Sequence, residues 1–145
     1  MLTSKTKYAL RAMHDLADHA GAGPVTIPDI AERQDIPRRF LENILMELRR
    51  ANLVVSRRGI HGGYELARPA ADITYADIIR LIQGPLALAP CVSLKAYRRC
   101  DDCVDEKACD LRDTLIEVRE STVEILERTN FAPARAARKS PSRRR

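Results

Sequence analysis

The stretch Thr26–Arg50, TIPDIAERQDIPRRFLENILMELRR, decides the fold. Thr26 offers a hydroxyl that caps a helix start, and Asp29 stands where its carboxylate reaches back to the cap's own N–H. A short helix therefore runs to about Gln34. Asp35-Ile36-Pro37 breaks it, and a second helix follows in which Leu41, Ile44, Leu45 and Leu48 return at helical spacing. Those four face inward, while Arg38, Arg39, Glu42, Asn43, Arg49 and Arg50 occupy the other faces.

On the N-terminal side, Tyr8, Ala9, Ala12, Met13, Leu16 and Ala17 make the apolar stripe of a helix from Ser4 to about Ala20, stopped by Gly21-Ala22-Gly23-Pro24. On the C-terminal side, strand-like Leu53–Ser56 and Tyr64–Ala67 flank Arg57-Arg58-Gly59-Ile60-His61-Gly62-Gly63, whose glycines give a hairpin its tip. The hairpin reads as a basic wing. Pro69 closes it, Thr74 and Asp77 repeat the capping pattern, and a helix with Ile78, Ile79, Leu81 and Ile82 ends at Gly84-Pro85. The expected fold is mainly α with a small β-wing: a winged helix-turn-helix domain over residues 1–85.

Residues 86–109 have no clear period and hold every cysteine. From Asp110 to about Asn130, Leu111, Leu115, Val118, Thr122 and Ile125 alternate at four and three, flanked by Ile116, Val123 and Leu126. A helix this long after a compact domain calls for a partner, so 110–131 is expected to be a dimerisation helix and 86–109 a Cys-bearing sensor loop. The Ala/Arg/Pro/Ser-rich residues 132–145 are expected to form a disordered basic tail.

Composition sets the bounds. With 145 residues, 45% of them hydrophobic and 31% charged, the chain supports one small domain with appendages, not two cores. Its longest apolar run, Pro85–Val92, is far too short to span a bilayer, and the N-terminus lacks the apolar block of a secretory signal, so a cytoplasmic location is expected. The net charge of +5 is misleading, because the tail holds six bases and no acid, leaving 19 bases against 20 acids elsewhere. Charge is partitioned instead: residues 38–68 hold seven Arg against three Glu, while 91–130 hold seven bases against ten acids.

A helix-turn-helix puts the first turn of its second helix into the major groove. There Arg38 and Arg39 can meet phosphate or guanine, Glu42 can accept from a cytosine amino group, and Asn43 can reach a base edge or phosphate. Arg57 and Arg58 can follow phosphates or enter a narrow minor groove. A merely solvated helix face and an ordinary charged hairpin compete with this reading; the conjunction of helix and wing favours double-stranded DNA. Gly59, Gly62 and Gly63 match neither the Rossmann nor the P-loop spacing.

Cys91, Cys100, Cys103 and Cys109 have eight, two and five residues between successive members. In a reducing compartment, thiolates gathered on one loop suit a soft metal, an iron–sulfur cluster or a redox thiol switch better than a structural disulfide. Zinc would favour two close pairs, and only Cys100-x-x-Cys103 is one. His14, His19 and His61 make no site by spacing, and Asp101, Asp102, Asp105 and Glu106 read as a solvated acidic loop. No catalytic constellation emerges, so an enzyme is not expected.

Together, Leu2-Thr3-Ser4-Lys5, Tyr8-Ala9-Leu10-Arg11, Ile30–Gln34, Phe40-Leu41-Glu42, Leu53-Val54, Arg58-Gly59 with Gly62-Gly63-Tyr64, and the cysteine loop before a long helix carry a resemblance over about residues 1–130. The chain resembles the Rrf-type (IscR/NsrR/RirA-like) bacterial winged helix-turn-helix transcriptional regulators. The resemblance implies a homodimer on a pseudo-palindromic operator, with Glu42 discriminating sequence, Arg58 entering the minor groove, and a 2Fe-2S or 4Fe-4S cluster controlling affinity. Its three-cysteine pattern falls on Cys91, Cys103 and Cys109. The family's variable fourth ligand would fall at Arg112 or at Lys7 in helix one, neither of which is a ligand, so Cys100 becomes the internal candidate.

The resulting expectation is a dimeric, cluster-sensing DNA-binding regulator. Its alternatives are a metal-free thiol-switch or zinc-stabilised regulator of the same fold and, from a different class, a redox or iron–sulfur carrier subunit.

Overall fold

The computed structural model describes residues 1–133, so nearly all of the basic segment 132–145 lies outside the described residues. Five α-helices and one two-stranded sheet follow in the order α1 (Ser4–Asp18), α2 (Ile27–Gln34), α3 (Arg38–Arg50), β1 (Val54–Arg57), β2 (Gly63–Leu66), α4 (Tyr75–Ile82) and α5 (Asp110–Arg128). Single 3-10 turns lie at Ala70–Asp72 and Pro90–Val92. This is a winged helix-turn-helix. None of the described helices is long and apolar enough to cross a membrane.

The caps follow the side chains. Thr26 accepts from Asp29 N at 3.3 Å to start α2, and Thr74 accepts from Asp77 N at 3.2 Å to start α4. The reciprocal bond of a full capping box, Asp77 carboxylate to Thr74 N, forms only in α4 among the described residues. Asp29 sits at an exposed position, where water competes for its carboxylate. α2 ends because Asp35 turns left-handed at φ 50°, which returns Ile36 N to Ala31 O at 3.0 Å and drives Ile36 into the core. That turn aims α3 away from α2.

α3 buries Leu41, Ile44, Leu45 and Leu48 completely, each worth about 1.5–3 kcal/mol of transfer free energy. They meet Ala9, Met13 and Leu16 of α1, Ile30 of α2, and Ile73 and Ile78 around α4 in one core. Strands β1 and β2 pair antiparallel, Val54 opposite Leu66 and Arg57 opposite Gly63. Gly63 has φ 146°, and a Cβ there would stand 2.4 Å from Val25 O. Glycine thus permits the bridge in which Val25 and Tyr64 exchange backbone bonds of 2.9 and 2.8 Å, fastening the wing to the segment before α2.

α5 has no fully buried residue. Leu111, Val118 and Ile125, seven apart, are 73%, 40% and 49% exposed, whereas Leu115, Ile116, Thr122, Val123 and Leu126 are half-buried. The chain then returns to the first domain. Asn130 bridges Thr74, Phe131 N donates to Ala70 O and Ile73 O, and the Phe131 ring is wholly buried between Tyr75 and His14.

Candidate DNA interface and cysteine site

The first turn of α3 has Pro37 as its cap and no side-chain bond to its free N–H groups. Those donors, and the positive end of the helix, remain free for an anion. Arg38, Arg39, Glu42 and Asn43 are all exposed on this end of α3, and none forms a salt bridge among the described residues. They form one polar face opposite the buried Leu41, Ile44 and Leu45. Phe40, also exposed, meets Tyr8 edge-to-face at 6.4 Å, and Tyr8 in turn lies under Arg11.

The wing separates its two arginines. Arg57 is the last residue of β1, and its Nε donates to Glu65 Oε2 at 3.1 Å across the strands. Arg58 is the first residue of the tip, exposed and without an ion pair among the described residues. Sequence spacing treats the two alike, but strand register gives one a cross-strand carboxylate and leaves the other to solvent.

Behind this head, all four cysteines line one cavity of about 580 Å3 together with Leu111, Arg112 and Leu115. Cys91 lies in the 3-10 turn Pro90–Val92 and is buried. Cys100 and Cys103 bracket a turn closed by Cys103 N to Cys100 O at 3.1 Å, and Cys109 caps α5. The loop is stapled from within: Tyr97 donates to Glu106 at 2.6 Å, and Arg99 Nη2 donates to the carbonyls of Cys103 and Val104 at 3.0 Å each. Burial raises the Cys91 pKa, a hydrogen bond and charge interaction with Cys100 raise it further, and Arg112 works in the opposite direction. Cys91 and Cys100 share the wall of this cavity.

No three His, Cys, Asp or Glu side chains converge as a single metal ion requires among the described residues. The thiols surround a cavity and do not meet at a point. His14 bonds Tyr75 and packs on Phe131, His19 bonds the Asp15 carbonyl, and His61 is exposed, so the histidines stay apart. Sequence reasoning treated Arg112 only as a failed ligand and missed Arg119, whose Nη1 donates to Val92 O at 2.8 Å and so braces the segment carrying Cys91. The two lie seven apart on α5, and each has a buried, unpartnered Nε. Their heptad spacing beside an apolar stripe is the signal that could have found them.

Comparison with known proteins places this architecture. An rrf2-like HTH-type transcriptional regulator of Rhodobacter capsulatus is 47% identical over 121 residues, covering 81% of each chain. IscR of Photorhabdus laumondii is 39% identical over 103 residues, 71% of this chain and 63% of that one. Among solved structures, CymR, the global cysteine regulator of Bacillus subtilis, superposes with a TM-score of 0.76 at 32% identity over 90% of this chain and 92% of its own. IscR of T. potens gives a TM-score of 0.69 at 36% identity over 91% and 83%. The sequence profile of the Rrf2 family, described as iron-dependent transcriptional regulators, matches residues 2–134. With helix-turn-helix, wing and long final helix in place, the chain belongs to the Rrf2 family of DNA-binding transcriptional regulators.

Proposed function

We propose that the protein is a homodimeric, cytoplasmic regulator that reads a pseudo-palindromic operator and whose affinity for it is set by an iron–sulfur cluster. In this reading, residues 1–85 bind DNA, 86–109 form the sensor loop, and 110–131 hold the dimer. Arg38, Arg39, Glu42 and Asn43 engage the major groove, and Arg57 and Arg58 the phosphates and minor groove beside it.

The lining of a single 580 Å3 cavity by all four cysteines is the observation that carries the cluster assignment. Four soft thiol donors spread round such a space suit a polynuclear body better than one ion, which would require sulfurs within about 4 Å of one another. Cys91, Cys103 and Cys109 would hold the cluster and Cys100 would complete the set. When bound, the cluster supplies reversible electron uptake and sensitivity to iron supply, oxidants or nitric oxide. The protein's own residues connect that event to DNA. The loop leads from α4 into α5, Arg119 ties the Cys91 segment to α5, and Asn130 and Phe131 tie the end of α5 back to α4. A change in the loop therefore acts on a helix that is anchored to the reading domain.

Anaerobic purification, followed by absorbance spectroscopy and iron, sulfide and zinc analysis, tests this directly. Iron and sulfide in a coloured protein, lost in Ser replacements of Cys91, Cys103 and Cys109, are expected. Stoichiometric zinc with failed reconstitution would install the zinc-stabilised alternative. The four free thiols on one cavity wall favour one second reading, a metal-free thiol switch, which would leave a colourless protein with oxidant-dependent DNA affinity. The family assignment favours any of these over a carrier subunit.

A further inference from the structure

A second cavity lies between the end of α4, the segment after it, and the middle of α5. It encloses about 190 Å3, equal to the liquid volume of about six waters. Pro85, Leu86 and Val123 supply apolar wall. Its charged lining is entirely cationic: Arg80, Lys95 and Arg119, with the Ser93 hydroxyl and no carboxylate among the lining residues.

Neighbouring acids only partly balance these charges. Arg80 donates to Glu127 at 2.7 Å and Arg119 to Glu120 at 3.0 Å, yet both glutamates stand outside the lining and are more than half exposed. The Arg119 side chain is only 12% exposed, and its Nε is buried without a partner. Lys95 has no ion pair among the described residues. Lys95 is thus the cation of the lining that no carboxylate pairs among the described residues, and an anion in the cavity is the group that balances it.

We propose that this cavity binds a small organic monoanion, a carboxylate with a short apolar body, held by Lys95, Arg80 and Arg119 at its charged end and by Pro85, Leu86 and Val123 along its body. Three cationic residues lining one hollow with an apolar wall match that chemistry, whereas an inorganic polyanion would waste the apolar wall. Arg119 also holds the Val92 carbonyl, one residue from Cys91, so ligand and cysteine segment share one side chain. Binding itself depends neither on the cluster nor on DNA.

The test is an amide NMR titration of the full chain with benzoate, with benzamide as its neutral counterpart, at constant ionic strength. Saturable shifts at Gly84, Leu94, Lys95 and Val123 with a midpoint below about 10 mM are expected, with benzamide at least about tenfold weaker. Lys95→Gln alters an exposed side chain the fold does not need and should weaken benzoate about fivefold; Arg119→Lys should weaken it more. Equal shifts from benzoate and benzamide, shifts elsewhere, no saturation, or a Lys95→Gln protein that binds benzoate as before would each overturn the assignment.

Discussion

Arg33 grips Asp15 at both carboxylate oxygens, Nε to Oδ2 at 2.9 Å and Nη2 to Oδ1 at 2.8 Å, with Gln34 Nε2 adding a third bond at 3.1 Å. Asp15 is 2% exposed and Arg33 40%, so a carboxylate within α1 is anchored by the last turn of α2. Burial of Asp15 favours its neutral form, but the bonds from Arg33 and Gln34 and the charges of Arg33 and His19 outweigh it, holding the carboxyl below its ordinary value of 3.8.

A depressed carboxylate pKa gives stability that is present above the unfolded value and is lost as pH falls through the folded one. Arg33→Met, which strands the carboxylate, should cost about 2–3 kcal/mol at pH 7 in urea unfolding, discounted for the half-open guanidinium. The difference in stability between the native protein and Asp15→Asn should shrink as pH drops below about 4. A gap that stays constant down to pH 2.5 would show that the pair has no proton linkage.

Phe131 should be as important to stability as any helix residue. Its ring is fully buried, stacked on Tyr75 at 4.9 Å and edge-on to His14 at 4.9 Å. Phe131→Ala should cost about 3–4 kcal/mol and free the end of α5 from α4, read as a lower urea midpoint and faster amide exchange at Ile73. An unchanged midpoint would mean that the C-terminal return adds nothing to the core.

How the chain could be read in advance follows from distance along it. The inward stripe of α3, the Thr26 and Thr74 caps and the wing glycines are local patterns, and each forms close to where spacing puts it. Helix ends are less legible: α1 stops at Asp18, after which Ala20 N tightens onto Ala17 O, and α5 stops at Arg128, after which Asn130 bridges Thr74. Phe131 escaped notice because nothing within a helical turn of it predicts a partner 56 residues away at Tyr75. The cysteines are conspicuous as a cluster in sequence, but the cavity they line is closed by Leu111, Arg112 and Leu115 of α5, a tertiary arrangement that spacing alone does not give.

For the DNA head, the expected outcomes separate by residue. Glu42→Ala should relax preference at one or two base pairs, with about 1–3 kcal/mol of discrimination lost, while leaving total affinity largely intact. Arg58→Ala should weaken binding and lower the salt slope by up to about 0.9, as for one phosphate contact. Arg57→Ala should do less, since Glu65 already holds that guanidinium at 3.1 Å. Footprinting and fluorescence anisotropy at several salt concentrations distinguish these outcomes; an Arg57 effect larger than that of Arg58 would reverse their roles.

The final helix divides its apolar residues between two surfaces, and that division predicts how the dimer can be taken apart. Leu115 lines the cysteine cavity, and Val123 the neighbouring one, so charges there would damage the fold itself. Leu111, Val118 and Ile125 recur every seven residues and are exposed in the single chain, the spacing at which one helix can pack along a second copy of itself. Val118→Lys with Ile125→Lys, which spares the Leu111 side chain that also lines the cysteine cavity, should therefore give a monomer with native circular dichroism in sedimentation analysis, and operator affinity should fall because two half-sites are no longer linked. Leu115→Lys should instead lose helical signal or cluster binding. Should the Val118, Ile125 double variant still sediment as a dimer, the protomers meet through another surface and the 110–131 assignment fails.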